Sequence, residues 1–266
     1  MTPATIQINS SRLSGRGHRY TVPFSLVLTL AVLGQPVSLA GQINTAWSGP
    51  PPATTIRWWH GAALLGGVSA LMLLDHSGRD FFQDSRSHTS NDIASGLRHF
   101  GQPEVYGTVT LGLIGAGLIS GNDEITRAGG RLAATLALAG AASTGFKWAA
   151  GRPRPNESSD VDGFVPFSGQ DAMPSGHTTV AFALATALAD DIHRTWATVG
   201  LYTAATGVGW SRLNDNKHWL SDVVMGAAVG TASAKLINGH WRIFHLRPPS
   251  ILLGPQQAGV AWQFSF

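Results

Sequence analysis

Between Trp58 and Asn238 the chain runs through successive apolar segments rich in Ala and Gly, separated by short polar stops. Their lengths predict helices over about Trp58–Leu74, Val105–Ser120, Glu124–Ala150, Thr178–Ala189, Thr195–Arg212 and His218–Asn238. Asn122-Asp123 reads as the start of the third and Asn238-Gly239 as the stop of the last. The polar stretch Asp75–Gln102 is expected to hold a short helix of its own, opening at Ser90-Asn91-Asp92. Uninterrupted apolar runs of about 12–17 residues reach roughly 18–25 Å at helical rise, against a hydrocarbon core of ~30 Å. Many of these positions are Gly, Ala or Thr, and the mean hydropathy is only +0.07. Buried helices of one bundle are favoured over independent membrane spans. The expected fold class is therefore all-α, a bundle of about six helices.

The two ends read differently. Arg12, Arg16 and Arg19 precede an apolar run from Val22 to Gly34, and Ser38-Leu39-Ala40 offers small residues for cleavage. Residues 1–40 are thus expected to be a signal peptide, with a mature chain beginning near Gly41 and working in the periplasm or cell envelope, membrane-associated or embedded. Residues 41–250 form the helical domain. Residues 251–266 place Ile251-Leu252-Leu253 before Gly254-Pro255 and then Val260, Trp262, Phe264 and Phe266 at every second position. That alternation around a turn predicts a short C-terminal β-hairpin.

Composition narrows the function classes. The chain has 266 residues and no cysteine, so zinc–thiolate sites, disulfides and a thiol nucleophile are excluded. Net charge is +3, and the basic residues are spread along the chain rather than gathered in a stripe, which argues against nucleic acid as a partner.

Three blocks concentrate the chemistry within residues 124–238. Lys147 is followed after six residues by Arg154-Pro155; Pro174-Ser175-Gly176-His177 opens an apolar run; Ser211-Arg212 is followed after five residues by His218 and after three more by Asp222. Lysine is scarce, occurring only at 147, 217 and 235. Ser175, Gly176 and His177 fall at a helix N-terminus, where backbone N–H groups face outward and favour an anion. Two arginines suit forked contact with phosphoryl oxygens, and a lysine adds a point charge. On a helix, residues four apart share a face, so Asp222 can accept from one nitrogen of the His218 ring and leave the other as a nucleophile or base. Taken singly, each feature has a plain structural reading as a core histidine, a turn or a helix start. Together they hold a phosphate and attack it. No residue cluster outside this pocket suggests a metal site.

The three blocks resemble the signature of the phosphatidic acid phosphatase type 2 and vanadium haloperoxidase superfamily, matched in order without substitution. Arg152-Pro153 makes a second Arg-Pro, but the six-residue spacing selects Arg154 for the motif role and leaves Arg152 as a helper or a loop residue. The resemblance implies metal-independent hydrolysis of phosphomonoesters through a phosphohistidine, with no cofactor. In it His218 attacks phosphorus, Asp222 orients His218, and His177 protonates the leaving oxygen and then activates water. Lys147, Arg154, Arg212, the Ser175 hydroxyl and the Gly176 N–H bind the phosphoryl oxygens. The substrate would be a lipid phosphate or a small soluble phosphate. Two other readings share the pocket: a haloperoxidase holding vanadate in the phosphate site, and a non-catalytic module binding a phosphate or phospholipid.

Overall fold

The computed structural model describes residues 53–243, 250–254 and 257–261. The proposed signal peptide and the tail aromatics Trp262, Phe264 and Phe266 lie outside them. Strand β1 (Thr54–Ile56) leads into α1 (Trp58–Met72), α2 (Asp75–Asp84) and α3 (His88–Arg98). A 3-10 turn at His99–Gly101 then leads to α4 (Pro103–Ser120) and the long α5 (Asp123–Ala150). After a loop come α6 (Gly176–Ile192), α7 (Thr195–Asn214) and α8 (Leu220–Ile237), followed by strands β2 (Trp241–Ile243), β3 (Ser250–Gly254) and β4 (Gln257–Ala261). The all-α class stands, but with eight α-helices among the described residues rather than about six.

The added helices come from the polar stretch Asp75–Gln102, which holds two helices instead of one. The second opens three residues earlier than expected, because Ser87 and Ser90 cap each other. Ser87 Oγ accepts from the Ser90 N–H at 3.1 Å, and Ser90 Oγ accepts from the Ser87 N–H at 2.9 Å. The start of α5 follows its signal: the Asn122 side chain accepts from the N–H groups of Glu124 and Ile125 at 3.0 and 3.2 Å. The end of α5 requires glycine. Gly151 sits at φ 54°, and a Cβ there would lie 1.8 Å from the Val165 carbonyl oxygen.

The centre of the bundle is built from small residues. Ala181, Ala183, Ala185 and Ala187 of α6 are all buried. Gly226 and Gly230, one turn apart on α8, meet α6 so closely that a Cβ would fall 2.7 Å from the Ser175 carbonyl oxygen and 2.1 Å from that of Thr179. This approach sets α6 and α8 backbone to backbone, which brings their N-terminal ends together. Leu132, Leu184, Ala187 and Ala234 tie α5 to the same pair, with Tyr106, Val109 and Leu113 of α4 packed on them. Among the described helices only α8 is long and apolar enough to cross a membrane, and in this bundle it packs against α5 and α6.

The strands are peripheral. β1 and β2 pair in parallel, Thr54 opposite Trp241 and Ile56 opposite Ile243, which joins the two ends of the helical run. β3 and β4 pair antiparallel from Ser250–Ala261 to Gly254–Gln257.

Candidate active site

Four helix ends meet at one place. Lys147 stands in the last turn of α5, His177 in the first turn of α6 and Arg212 in the last turn of α7. His218 and Asp222 flank the start of α8. The loop between α5 and α6 contributes Arg152, Arg154, Asp171 and Ala172.

His218 is not on the helix, contrary to the expectation from its spacing to Asp222. Helix α8 begins at Leu220 with Trp219 as its cap, so His218 lies in the turn before it. Its ring Nδ1 is 2.8 Å from the Ala172 carbonyl oxygen and 3.7 Å from Asp222 Oδ2. A carbonyl only accepts, so Nδ1 carries the proton and Nε2 keeps its lone pair. The 3.7 Å separation is too long for a hydrogen bond. Asp222 is spent elsewhere: Oδ2 accepts the Trp219 N–H at 2.8 Å, and Oδ1 accepts from Arg152 Nη1 at 2.7 Å. A buried guanidinium and an unpaired helix N–H both bind a carboxylate more strongly than a neutral imidazole does. Asp222 thus acts on His218 through its field. Burial lowers the ring's proton affinity, and the Asp222 charge opposes that.

The Pro-Ser-Gly-His turn is locked to α8 by the Ser175 N–H, which donates to the Asp222 carbonyl at 3.0 Å. The Met173–Pro174 peptide ahead of it is cis. Ser175 caps α6 without a side-chain bond to the helix backbone; its Oγ accepts from Thr178 Oγ1 at 2.9 Å, leaving its own proton to donate. A Cβ on Gly176 would meet only Lys147 Cε, at 3.9 Å, so the first turn of α6 is open to a ligand on that side. His177 is pushed down to about 4, by burial first and then by the charges of Arg212, His218, Arg154 and Arg98. It is neutral at pH 7.

The cations are held in readiness by carboxylates. Arg154 makes a fork with Asp171 at 2.9 and 2.8 Å. Lys147 reaches the Asp171 carbonyl and lies 3.6 Å from its carboxylate. Burial pushes the Lys147 ammonium below its usual range, with Asp171 opposing. For Asp171 burial acts upward, but the Arg154 fork and the Lys147 charge outweigh it and hold the carboxyl below its usual range. Arg212 donates from Nη1 to Asp215 at 3.0 Å, and its buried Nε meets no hydrogen-bond partner among the described residues. A buried guanidinium N–H without an acceptor, together with two further cations seated on one carboxylate, is the electrostatic outline of an oxyanion site.

Residues 128–243, from α5 to β2, match the PAP2 superfamily model. The matched segment carries all three sequence blocks, from Lys147 to Asp222. Over 108 residues the chain is 40% identical to the lipid A 1-phosphatase of Porphyromonas gingivalis, covering 40% of this chain and 22% of that protein. Over 114 residues it is 31% identical to YbjG of Escherichia coli, assigned as an undecaprenyl-diphosphatase, covering 40% of this chain and 57% of that one. The chain thus spans about a fifth and somewhat over half of the lengths of these two relatives. The crystal structure of a transmembrane PAP2-type phosphatidylglycerolphosphate phosphatase from Bacillus subtilis shares the fold. Its TM-score is 0.53 at 20% identity, over 67% of this chain and 94% of that one.

All eight motif residues lie on the elements that converge in the PAP2 segment. Four further residues were not singled out by the motif: Asp171, Asp75 on α2, Arg98 on α3 and Asp215, whose carboxylate lies 3.0 Å from Arg212 and 3.6 Å from Arg98. Asp171 had a signal of its own, being the only charged residue between Asp162 and His177. Asp75 and Arg98 had none, because their partners lie more than a hundred residues further along the chain or in the distant loop.

Proposed function

We propose that the protein is a metal-independent phosphatase that hydrolyses phosphomonoesters, lipid phosphates foremost, through a phosphohistidine. The observation that carries this reading is the 2.8 Å contact of His218 Nδ1 with the Ala172 carbonyl, which leaves Nε2 unprotonated in a ring of cations. In this mechanism Nε2 of His218 attacks phosphorus in line, and the P–O bond to the alcohol breaks as His177 gives that oxygen a proton. Water then attacks the phosphohistidine, with His177 taking its proton, and inorganic phosphate leaves. Lys147, Arg154, Arg212, the Ser175 hydroxyl and the Gly176 N–H hold the three nonbridging oxygens and the charge that develops on them. Asp222 favours the positive charge on the His218 ring.

Two features support a lipid substrate at the cell envelope. The relatives are named for lipid phosphates and diphosphates. Beside the cations stand exposed apolar side chains: Trp148 next to Lys147 is 64% exposed, and Phe167 in the loop is 81% exposed. Large apolar groups around a charged pocket suit an ester with a phosphate head and an acyl or prenyl tail. The same relatives weigh against the haloperoxidase reading, and the unpaired nucleophile nitrogen weighs against a module that only binds.

The direct test is phosphate release by the purified chain in mixed micelles. A lipid phosphate should be hydrolysed with a kcat/KM well above that of a sugar phosphate, and equal values would overturn the lipid assignment. Because no group of three or more His, Asp or Glu side chains is placed to hold an ion among the described residues, activity should persist in EDTA. Vanadate should inhibit competitively, without conferring peroxide-dependent halide oxidation. Loss in EDTA with recovery in magnesium would refute the mechanism.

Asp171 must yield its cations when a phosphoryl group enters. Asp171→Asn removes the competing charge, so inorganic phosphate should bind about 3–10-fold tighter by calorimetry, in keeping with a partly exposed ion pair. Weaker binding would mean that Asp171 holds the cations in place for the ligand instead of competing with it.

A further inference from the structure

Behind Asp222 lies an ion cluster that the motif does not include. Arg152, Asp75 and Asp222 are each 0% exposed. Arg152 Nη2 donates to Asp75 Oδ2 at 2.7 Å, and Nη1 donates to Asp222 Oδ1 at 2.7 Å, so one guanidinium bridges two carboxylates. Ser221 closes the ring. Its N–H and Oγ both donate to Asp75, at 2.9 and 2.5 Å, and its Oγ accepts from Arg152 at 2.7 Å. The remaining guanidinium donors go to the Val161 carbonyl, at 2.9 and 2.6 Å. The guanidinium plane lies 5.3 Å from the Phe164 ring and 5.4 Å from the Trp219 ring. Every donor of the fork has an acceptor, which is what a charge this deep requires.

Two consequences follow for the site. Asp222 cannot rotate: one oxygen is held by Arg152 and the other by the Trp219 N–H. The charges also do not cancel. Two carboxylates against one guanidinium leave one negative charge, and the His218 ring stands beside it, 3.7 Å from Asp222 Oδ2. Without Asp75, the Arg152–Asp222 pair would be neutral and the ring would face no net charge on that side.

We infer that Asp75 and Arg152 are positioning residues of this site: their pair clamps Asp222 in one orientation and leaves a net negative charge that favours the cationic state of His218. This rests on the phosphohistidine reading, in which the ring becomes positive as Nε2 bonds phosphorus. Neither residue touches the substrate; both act through Asp222. The other charged or titratable groups facing the ring are Lys147 from α5, His177 from α6, Arg212 from α7 and Asp171 from the loop, and Asp75→Asn leaves all of them in place.

The test is Asp75→Asn, an isosteric change that removes one charge. Two readouts are followed beside the folded state: the ¹⁵N titration of the His218 ring, and the rate of the phosphorylation burst with an alkyl phosphate. The ring's proton affinity and the burst rate should each fall roughly tenfold, the size of one charge acting across a guanidinium at an effective dielectric of about 20. Inorganic phosphate should bind within about twofold of wild type, because its cations are not touched. A folded Asp75→Asn protein with an unchanged ring titration overturns the inference, and so does a loss of phosphate affinity as large as the loss of rate. Should that variant not fold, Ser221→Ala loosens the same clamp and keeps all three charges. A burst about threefold slower with unchanged phosphate binding supports the clamp, and a wild-type burst overturns it. The titration needs no turnover. A chain that hydrolyses nothing would defeat the phosphatase reading alone, whereas normal turnover with an unmoved titration would defeat this inference alone.

Discussion

His218→Ala is expected to abolish hydrolysis of every phosphate ester, alkyl and aryl alike, by roughly 10⁴–10⁶-fold, the range seen when a covalent nucleophile is removed. The loss should fall on kcat. Inorganic phosphate should still bind, because Lys147, Arg154 and Arg212 come from other elements and make their contacts with Asp171 and Asp215 rather than with His218. In the wild type, a quench in alkali after mixing with labelled substrate should trap an acid-labile phosphoprotein. The variant should show none. A labelled adduct that survives in His218→Ala would put the nucleophile elsewhere, with His177 as the next candidate.

His177→Ala should divide substrates by their leaving groups. General acid assistance is worth about 10²–10⁴-fold. An alkyl phosphate, whose alkoxide leaves poorly, should lose most of that factor. An aryl phosphate such as p-nitrophenyl phosphate should lose much less in the first step and then accumulate phosphohistidine, because the attacking water has lost its base. Equal losses on both esters would show that His177 is not the proton donor.

The electrostatics of His177 also determine the pH profile. Burial, then Arg212, His218, Arg154 and Arg98, hold its pKa at about 4 in the free protein. Its catalytic proton therefore arrives with the substrate, whose second ionisation lies near ~6. For an alkyl ester, kcat/KM should fall in acid, below the usual imidazole range, as the buried His218 ring takes up a proton and loses its nucleophilic lone pair. It should also fall as pH rises through ~6, where the monoanionic ester disappears. A kcat/KM that keeps rising to pH 8 would require a donor other than this histidine.

Local sequence carried the candidate residues of the site and most of the helices. The blocks around Lys147, Ser175 and Arg212 specify cations, a helix N-terminus and two histidines within a few residues each, and such short-range spacing survives folding unchanged. The apolar lengths and the Asn122 cap likewise set α4 and α5, because a helix end is decided by donors and acceptors two or three residues apart. Where a local rule misled, a competing partner was the reason. The four-residue spacing of His218 and Asp222 assumed that both lay on a helix. Trp219 takes the cap, Arg152 takes the carboxylate, and the imidazole turns to the carbonyl of Ala172, 46 residues earlier. Asp75 reads in the chain as one more polar residue after an apolar run, and Arg152 as the spare half of a doubled Arg-Pro. They become a buried pair only because α2, the α5–α6 loop and the start of α8 pack together, across separations of 70 to 146 residues. Periodicity and capping describe what a residue does to its own turn. Which charge neutralises which, and which is left over beside His218, depends on distances that exist only after the helices have packed.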